Sequence, residues 1–266
     1  MIERWRQNIY HSWPLLTVII ATFTINIQNL TYNIPFSDEA IYIVVGRFGL
    51  FEKDWYIYDA NSWMSGNQFF YPVITALAYQ IGGIFGSRLL NVLLGVMMVE
   101  IIFLSTLRLY QGSVSQKRLA AWIAAAIVGG SATTFYLSRL ATLDLPSFYL
   151  LFLSIFILLL TDSNHSKSGR LYFLSASIIA IAFMTKLIVA IYVPFIMIIS
   201  FVHALSKQEK LLRFWALYFA VPTITFFLCY TAFSLSNIES FNQNQISTRA
   251  NSDYFEVVQL YFSNTY

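Results

Sequence analysis

Long apolar runs alternate with short polar breaks along the whole chain. About 20 mostly apolar residues are needed to cross the hydrocarbon of a bilayer. Runs of that kind lie at about 12–30, 87–108, 119–137, 145–161, 187–205 and 213–235. A shorter run, 171–185, ends at Lys186 and is counted as a further span, which makes seven. The segment 69–85 is apolar enough to be an eighth, and charge parity argues against it. With seven spans and the N-terminus inside, the inner segments hold Arg4, Arg6, Arg108, Lys117, Arg118, Lys167, Arg170, Lys207, Lys210 and Arg213. An extra span at 69–85 would carry every later basic loop outside, against the positive-inside rule. Pro72, Gly82 and Gly83 also suit a segment that lies in the interface or enters partway. The expected fold is therefore an all-α polytopic membrane protein. It has about seven transmembrane helices and a juxtamembrane helix on the outer face.

Composition points the same way. Charged residues make up 11% of the 266, hydrophobic ones 58%, and mean hydropathy is +0.62. Soluble domains carry about 25% charged residues, so lipid is the expected solvent. The many Phe, Tyr and Trp suit membrane interfaces. The basic pI marks inner loops rather than a nucleic-acid surface, and no nucleic-acid partner is expected. Cys229, the single cysteine, lies in an apolar run, which leaves no disulfide framework and no thiol metal site. Arg4 and Arg6 precede the first apolar run, which exits through Asn26, Gln28 and Asn29 without a small-residue cleavage site. An uncleaved signal anchor with a cytoplasmic N-terminus is expected. The chain reads as one domain, 1–266, with an outer loop at about 31–86 and an outer tail at about 236–266. Val257–Tyr266 resembles the approach to another element.

The acidic residues gather on the outer side of this topology. Asp38, Glu39, Glu52, Asp54, Asp59, Asp144, Glu239, Asp253 and Glu256 all fall there, nine of the thirteen. Asp38-Glu39 precedes the apolar Ala40–Val45, so the acids stand at the start of an interfacial helix, where carboxylates are favoured. A carboxylate in low-dielectric surroundings can act as a general base or bind a divalent cation; two solvated loop acids are the plain alternative. Arg139 and Asp144 flank a short outer turn. They read either as a local ion pair or as a phosphate grip by the Arg139 fork, oriented by Asp144. Lys186, alone between two apolar runs, either snorkels or adds a second cation for a lipid phosphate. Glu100, inside a span, is a functional candidate or a hydrogen-bonding partner of a neighbouring helix. Trp63, Tyr56, Tyr58 and Tyr71 suit sugar stacking or interface anchoring. His11, His165 and His203 fall at inner ends, so no histidine metal site is expected on the outer face. No phosphate loop, nucleophile triad or metalloprotease motif is present.

These motifs, in this order, resemble the GT-C membrane glycosyltransferases, closest to the family-39-like protein O-mannosyltransferase and aminoarabinose transferase group. The matching stretches are Asp38-Glu39-Ala40 with Tyr42, Gly66-Asn67 through Pro72, and Gly86-Ser87-Arg88-Leu89. Ser138-Arg139 through Leu143-Asp144 and Phe183-Met184-Thr185-Lys186 complete the set. The resemblance implies transfer of a sugar from a polyprenyl-phosphate donor to a lipid, glycan or protein acceptor at the outer face of a bacterial inner membrane. It maps the catalytic carboxylates onto Asp38, Glu39 and Asp144, and the lipid-phosphate cations onto Arg139 and Lys186. A divalent metal at Asp38 and Glu39 is the one cofactor the resemblance raises. Two departures stand out. Phe69-Phe70-Tyr71-Pro72 replaces the Lys-Pro-Pro or His-Pro-Pro of relatives, and relatives are longer, so an N-terminal half or a partner-dependent chain is expected. A transporter or flippase of a lipid-linked or polar solute, and a non-catalytic membrane subunit, are the competing classes.

Overall fold

The computed structural model describes residues 2–55, 69–161, 168–207 and 209–241. Among them every regular element is helical. The candidate aromatics Tyr56, Tyr58 and Trp63 lie outside the described residues, as does the tail beyond 241.

Helix α1 spans Ile2–Ile27, and the chain turns behind it at Asn29, whose φ of 56° an asparagine tolerates. Helix α2 is Ser37–Arg47, prolonged by one wide turn over Phe48–Glu52. Helix α3 runs over Tyr71–Leu109 and is broken at Gly82–Gly83, where Gly83 takes φ 60° and ψ −150°. Across this break Ser87 Oγ donates to the Thr75 carbonyl at 3.0 Å, and the Tyr71 hydroxyl to Asn91 Oδ1 at 3.2 Å. On a straight helix those pairs would stand about 18 and 30 Å apart. The chain therefore doubles back at the two glycines. The arm 71–81, about 16 Å long, lies antiparallel to the start of the arm 84–109. It is too short to span a bilayer, in keeping with its reading as a juxtamembrane segment.

Helix α4, Val114–Gly129, opens on a Ser113–Gln116 capping box, and bends by 57° into α5, Ala132–Ser138, which Ser131 caps. Helix α6 is Asp144–Leu159, and α7 is Ser168–Thr185. A tight turn at Leu187–Ile191 leads to α8, Val193–Lys207. Helix α9, Glu209–Trp215, passes through a wide turn at Ala216–Ala220 into α10, Val221–Phe241. The irregular turn ends where Pro222 enters, a residue without an amide to donate.

Among the described residues, three helices are long and apolar enough to cross a membrane: Tyr71–Leu109, Ser168–Thr185 and Lys210–Tyr230. The bent α4–α5 pair makes a fourth if it acts as one span. The expected runs at 12–30, 145–161 and 187–205 also form apolar helices, but shorter ones, Trp13–Ile27, Asp144–Leu159 and Val193–Ser206. Part of each sequence run is spent on turns: 28–30 after α1, 160–161 after α6 and 187–191 before α8.

Helix α6 is the hinge of the packing, with α3 on one side and α7 on the other. On the α7 side the core gathers Leu151, Tyr172, Ile179, Phe183 and Phe219. Ser154 and Ser175, both fully buried, hydrogen-bond across that crossing at 2.7 Å. On the other side Gly95 lets α3 approach Ser138 and Leu145, and Gly129 lets α4 approach Thr22. Small residues at such crossings let helix backbones come together where apolar burial from lipid contributes little. Outward, Ile20, Leu93, Ile127, Ile198 and Leu228 are exposed.

The helix directions separate two ends. Arg88, the 139–143 turn, Asp144 and Lys186 share one end. Arg108, Lys117, Arg118 and Arg170 lie at the other. Arg88 and Arg108 are 20 residues apart on the continuous arm of α3, or about 30 Å.

Candidate functional site

Glu39 stands in the first turn of α2 and is fully buried. Its Oε2 accepts the Phe36 amide at 2.8 Å, the back-bond that closes the helix start. Its Oε1 accepts the Ala141 amide at 2.7 Å. Arg88, 4% exposed, adds Nε to Oε1 at 2.9 Å and Nη2 to Oε2 at 2.8 Å. Four donors thus fill the four lone-pair sites of one carboxylate. Burial alone would push the Glu39 carboxyl up. The Arg88 hydrogen bonds and the Ala141 and Phe36 amides outweigh it and hold the group below the usual carboxylate range. Arg88 also donates to the carbonyls of Leu30, Asn33 and Ile34. One buried pair therefore ties together the 30–34 turn, α2, α3 and the 139–143 turn.

Asp38 points the other way and is exposed. Tyr42, one helical turn further, is buried, and its hydroxyl is pushed above the usual phenol range, first by burial and then by the charges of Asp38 and Asp144. Asp144 opens α6 and forms an ion pair with Lys186, the extended residue between α7 and the following turn. Their side chains keep 33% and 20% of their exposure, so the pair stays reachable. Asp38 and the Asp144–Lys186 pair keep exposure near the buried Tyr42, whose ring packs against Tyr71 and Leu143, the residue before Asp144.

Arg139 lies apart from that group. Its Nη2 donates to the Gln28 carbonyl at 2.7 Å, and its guanidinium sits 4.8 Å over the Phe135 ring. It borders a cleft of about 650 Å³ together with the Asn29–Ser37 turn, Phe135, Tyr136, Glu39 and Arg88. Asp38, Asp144 and Lys186 do not line this cleft. The five residues picked from sequence thus share one end of the molecule but divide between two neighbouring features. The local Arg139–Asp144 ion pair does not form: each has a different partner. Lys186 neither stands alone nor reaches away from the protein.

The metal expectation fits poorly. Glu39 cannot ligate a cation without giving up a hydrogen bond, and Asp144 is taken by a lysine. Among the described residues there is no group of three or more His, Cys, Asp and Glu side chains placed to hold a metal ion. Asp38 and Glu39 do not make a divalent-cation site as they stand.

Asn91 was missed as a site residue. Asn91 Nδ2 donates to the carbonyls of Leu140 at 2.5 Å and Thr142 at 3.1 Å, and pins the turn that carries Arg139 and Asp144. Tyr71 is 1% exposed and meets Tyr42 edge to face at 6.1 Å, so it offers no ring face to a sugar. The signal for Asn91 was present: Arg88 and Asn91 are three residues apart in an otherwise apolar run. Polar groups on one face of such a run demand partners.

Comparison of the chain with protein-family models, with curated proteins and with solved structures gives no match.

Proposed function

We propose that this chain is a GT-C-type membrane glycosyltransferase that moves a sugar from a polyprenyl-phosphate donor to an acceptor hydroxyl at the outer face of the membrane. The observation that carries the reading is the depth of the site. Arg88 and the polar residues beside it lie about one hydrocarbon thickness from Arg108. A lipid phosphate sits at that depth. With the basic end inside, as the positive-inside rule requires, the site faces out. This reading counts seven spans, with the three shorter helices among them and the 71–81 arm left out.

The chemistry divides over the two features. Asp38, exposed beside Tyr42, accepts the proton of the acceptor hydroxyl. The acceptor oxygen bonds to the sugar C1 as the bond from C1 to the phosphate oxygen breaks, and the electron pair leaves on the lipid phosphate. Arg139, in the cleft, stabilises the charge that develops there. Its ring neighbours Phe135 and Tyr136 suit the start of a lipid chain. Lys186 adds a second cation through the open Asp144–Lys186 pair, and Asp144 orients it. Glu39, with every lone pair filled, positions α2 and so Asp38; it takes no proton.

The test is transfer of labelled sugar from a polyprenyl-phosphate carrier in proteoliposomes. Asp38→Asn should lower the rate by roughly 10²–10⁴-fold, the usual loss for a general base. Arg139→Ala should lower it comparably. If both variants keep wild-type transfer, the site is wrong. If labelled solute crosses the bilayer without covalent change, a transporter takes its place.

A further inference from the structure

Glu100 lies on the continuous arm of α3, about 18 Å from Arg88 and about 12 Å from Arg108 along the axis. In a bilayer that is near mid-depth. The side chain is exposed, and no hydrogen bond or ion pair reaches it from a described residue. Of the two readings of Glu100, the hydrogen bond to a neighbouring helix does not form among the described residues. On its helical face, three and seven residues back, Met97 and Leu93 are exposed at 38% and 44%. A carboxyl turned toward lipid at this depth is disfavoured by a few kcal/mol, so the face calls for a hydrogen-bond donor from outside the described chain.

The same surface also presents a donor. Tyr149 on α6 reaches Met97, one turn before Glu100 on the same face of α3, and among the described residues its hydroxyl contacts only the Met97 sulfur, at 3.9 Å. Sulfur is a weak acceptor. An underused donor and an unpartnered acceptor thus lie side by side on adjacent helices. That is the requirement for a two-fold interface, in which each residue meets its complement on the other copy. We propose that the α3–α6 face around Glu100 is a homodimer interface within the membrane, with the Glu100 carboxyl of each copy accepting from the Tyr149 hydroxyl of the other. A phenol can donate to a carboxyl in either protonation state, so the pairing needs no buried charge. The inference rests on the membrane reading of the apolar helices and not on the proposed reaction.

The experiment is energy transfer between donor- and acceptor-labelled full chains in liposomes over a series of lipid dilutions. Wild type should self-associate. Two interhelical hydrogen bonds, each worth about threefold in a bilayer, predict association about tenfold weaker for Glu100→Leu and for Tyr149→Phe. Glu100→Gln, which keeps an acceptor, should stay near wild type. Unchanged thermal unfolding of Glu100→Leu checks that this exposed substitution leaves the fold intact. Met97→Cys, with Cys229→Ala, should cross-link two copies on mild oxidation. A monomeric wild type, or Glu100→Leu and Tyr149→Phe variants that associate as wild type does, overturns the proposal. So does dimerisation without the Met97→Cys cross-link.

Discussion

Arg88→Met is the most informative single change, because it strands one charge in a place where its cost can be worked out. Glu39 is fully buried and takes two of its four hydrogen bonds from Arg88. Without the guanidinium it keeps only the Phe36 and Ala141 amides. Breaking a buried pair from one side costs about 3–5 kcal/mol, because the remaining charge is left uncompensated. The carbonyls of Leu30, Asn33 and Ile34 lose a donor as well. They sit in a turn beside the cleft, where water can replace it, and add little. A loss of this size lowers the unfolding temperature by something on the order of 10 °C. The assay is thermal unfolding in detergent micelles, followed by tryptophan fluorescence. The control is the double variant Glu39→Gln with Arg88→Met. Glutamine removes the charge and keeps an oxygen for the Ala141 amide, so the double variant should recover part of the loss, with a coupling of about 2 kcal/mol. If Arg88→Met stays within about 1 kcal/mol of wild type, or the coupling is near zero, the pair does not hold these four segments together.

The depressed Glu39 carboxyl also makes stability depend on pH. Its folded-state value lies below the ordinary one, so its contribution is complete above about pH 4.3 and fades as the pH falls through the folded value. Wild type and Glu39→Gln should therefore differ most near neutral pH and converge in acid, a trend that unfolding temperatures across pH 3–7 would show or refute. At the reversal of α3, Gly83→Ala should cost about 1–3 kcal/mol because of its backbone angles, whereas Gly82→Ala at φ −138° should be nearly neutral; equal effects would mean that the turn is not what constrains the site. Lys186→Met should slow sugar transfer more than Lys186→Arg, which keeps the cation beside Asp144. Equal rates for the two would remove Lys186 from the phosphate-binding scheme.

Much of the architecture follows from one-dimensional information. Apolar runs of 15–20 residues fold as helices here because their own backbone bonds satisfy every amide that lipid would leave bare. Asp38-Glu39 ahead of Ala40–Val45 marked a helix start, and α2 begins at Ser37. Pro72, Gly82 and Gly83 marked a segment that lies in the interface or enters partway, and the chain reverses at the two glycines. Helix ends were less legible. A run such as 187–205 does not reveal from hydropathy alone that its first five residues form a tight turn.

The division of labour between the two acids was beyond the sequence. Asp38 and Glu39 are neighbours of the same charge and nearly the same chemistry. On a helix, adjacent side chains point about 100° apart, so one turns inward and the other out. Which one is buried depends on Arg88, 49 residues away, and on the Ala141 amide, 102 residues away. Arg139 and Asp144 likewise look like a pair in one dimension, but Gln28 and Lys186 claim them in three. The sequence by itself determined that the chain is helical and apolar and which residues can carry chemistry. The tertiary structure alone decided which of those charges are spent on holding the fold and which remain open, because a carboxylate's role is set by the donors that surround it, and most of those come from elsewhere in the chain.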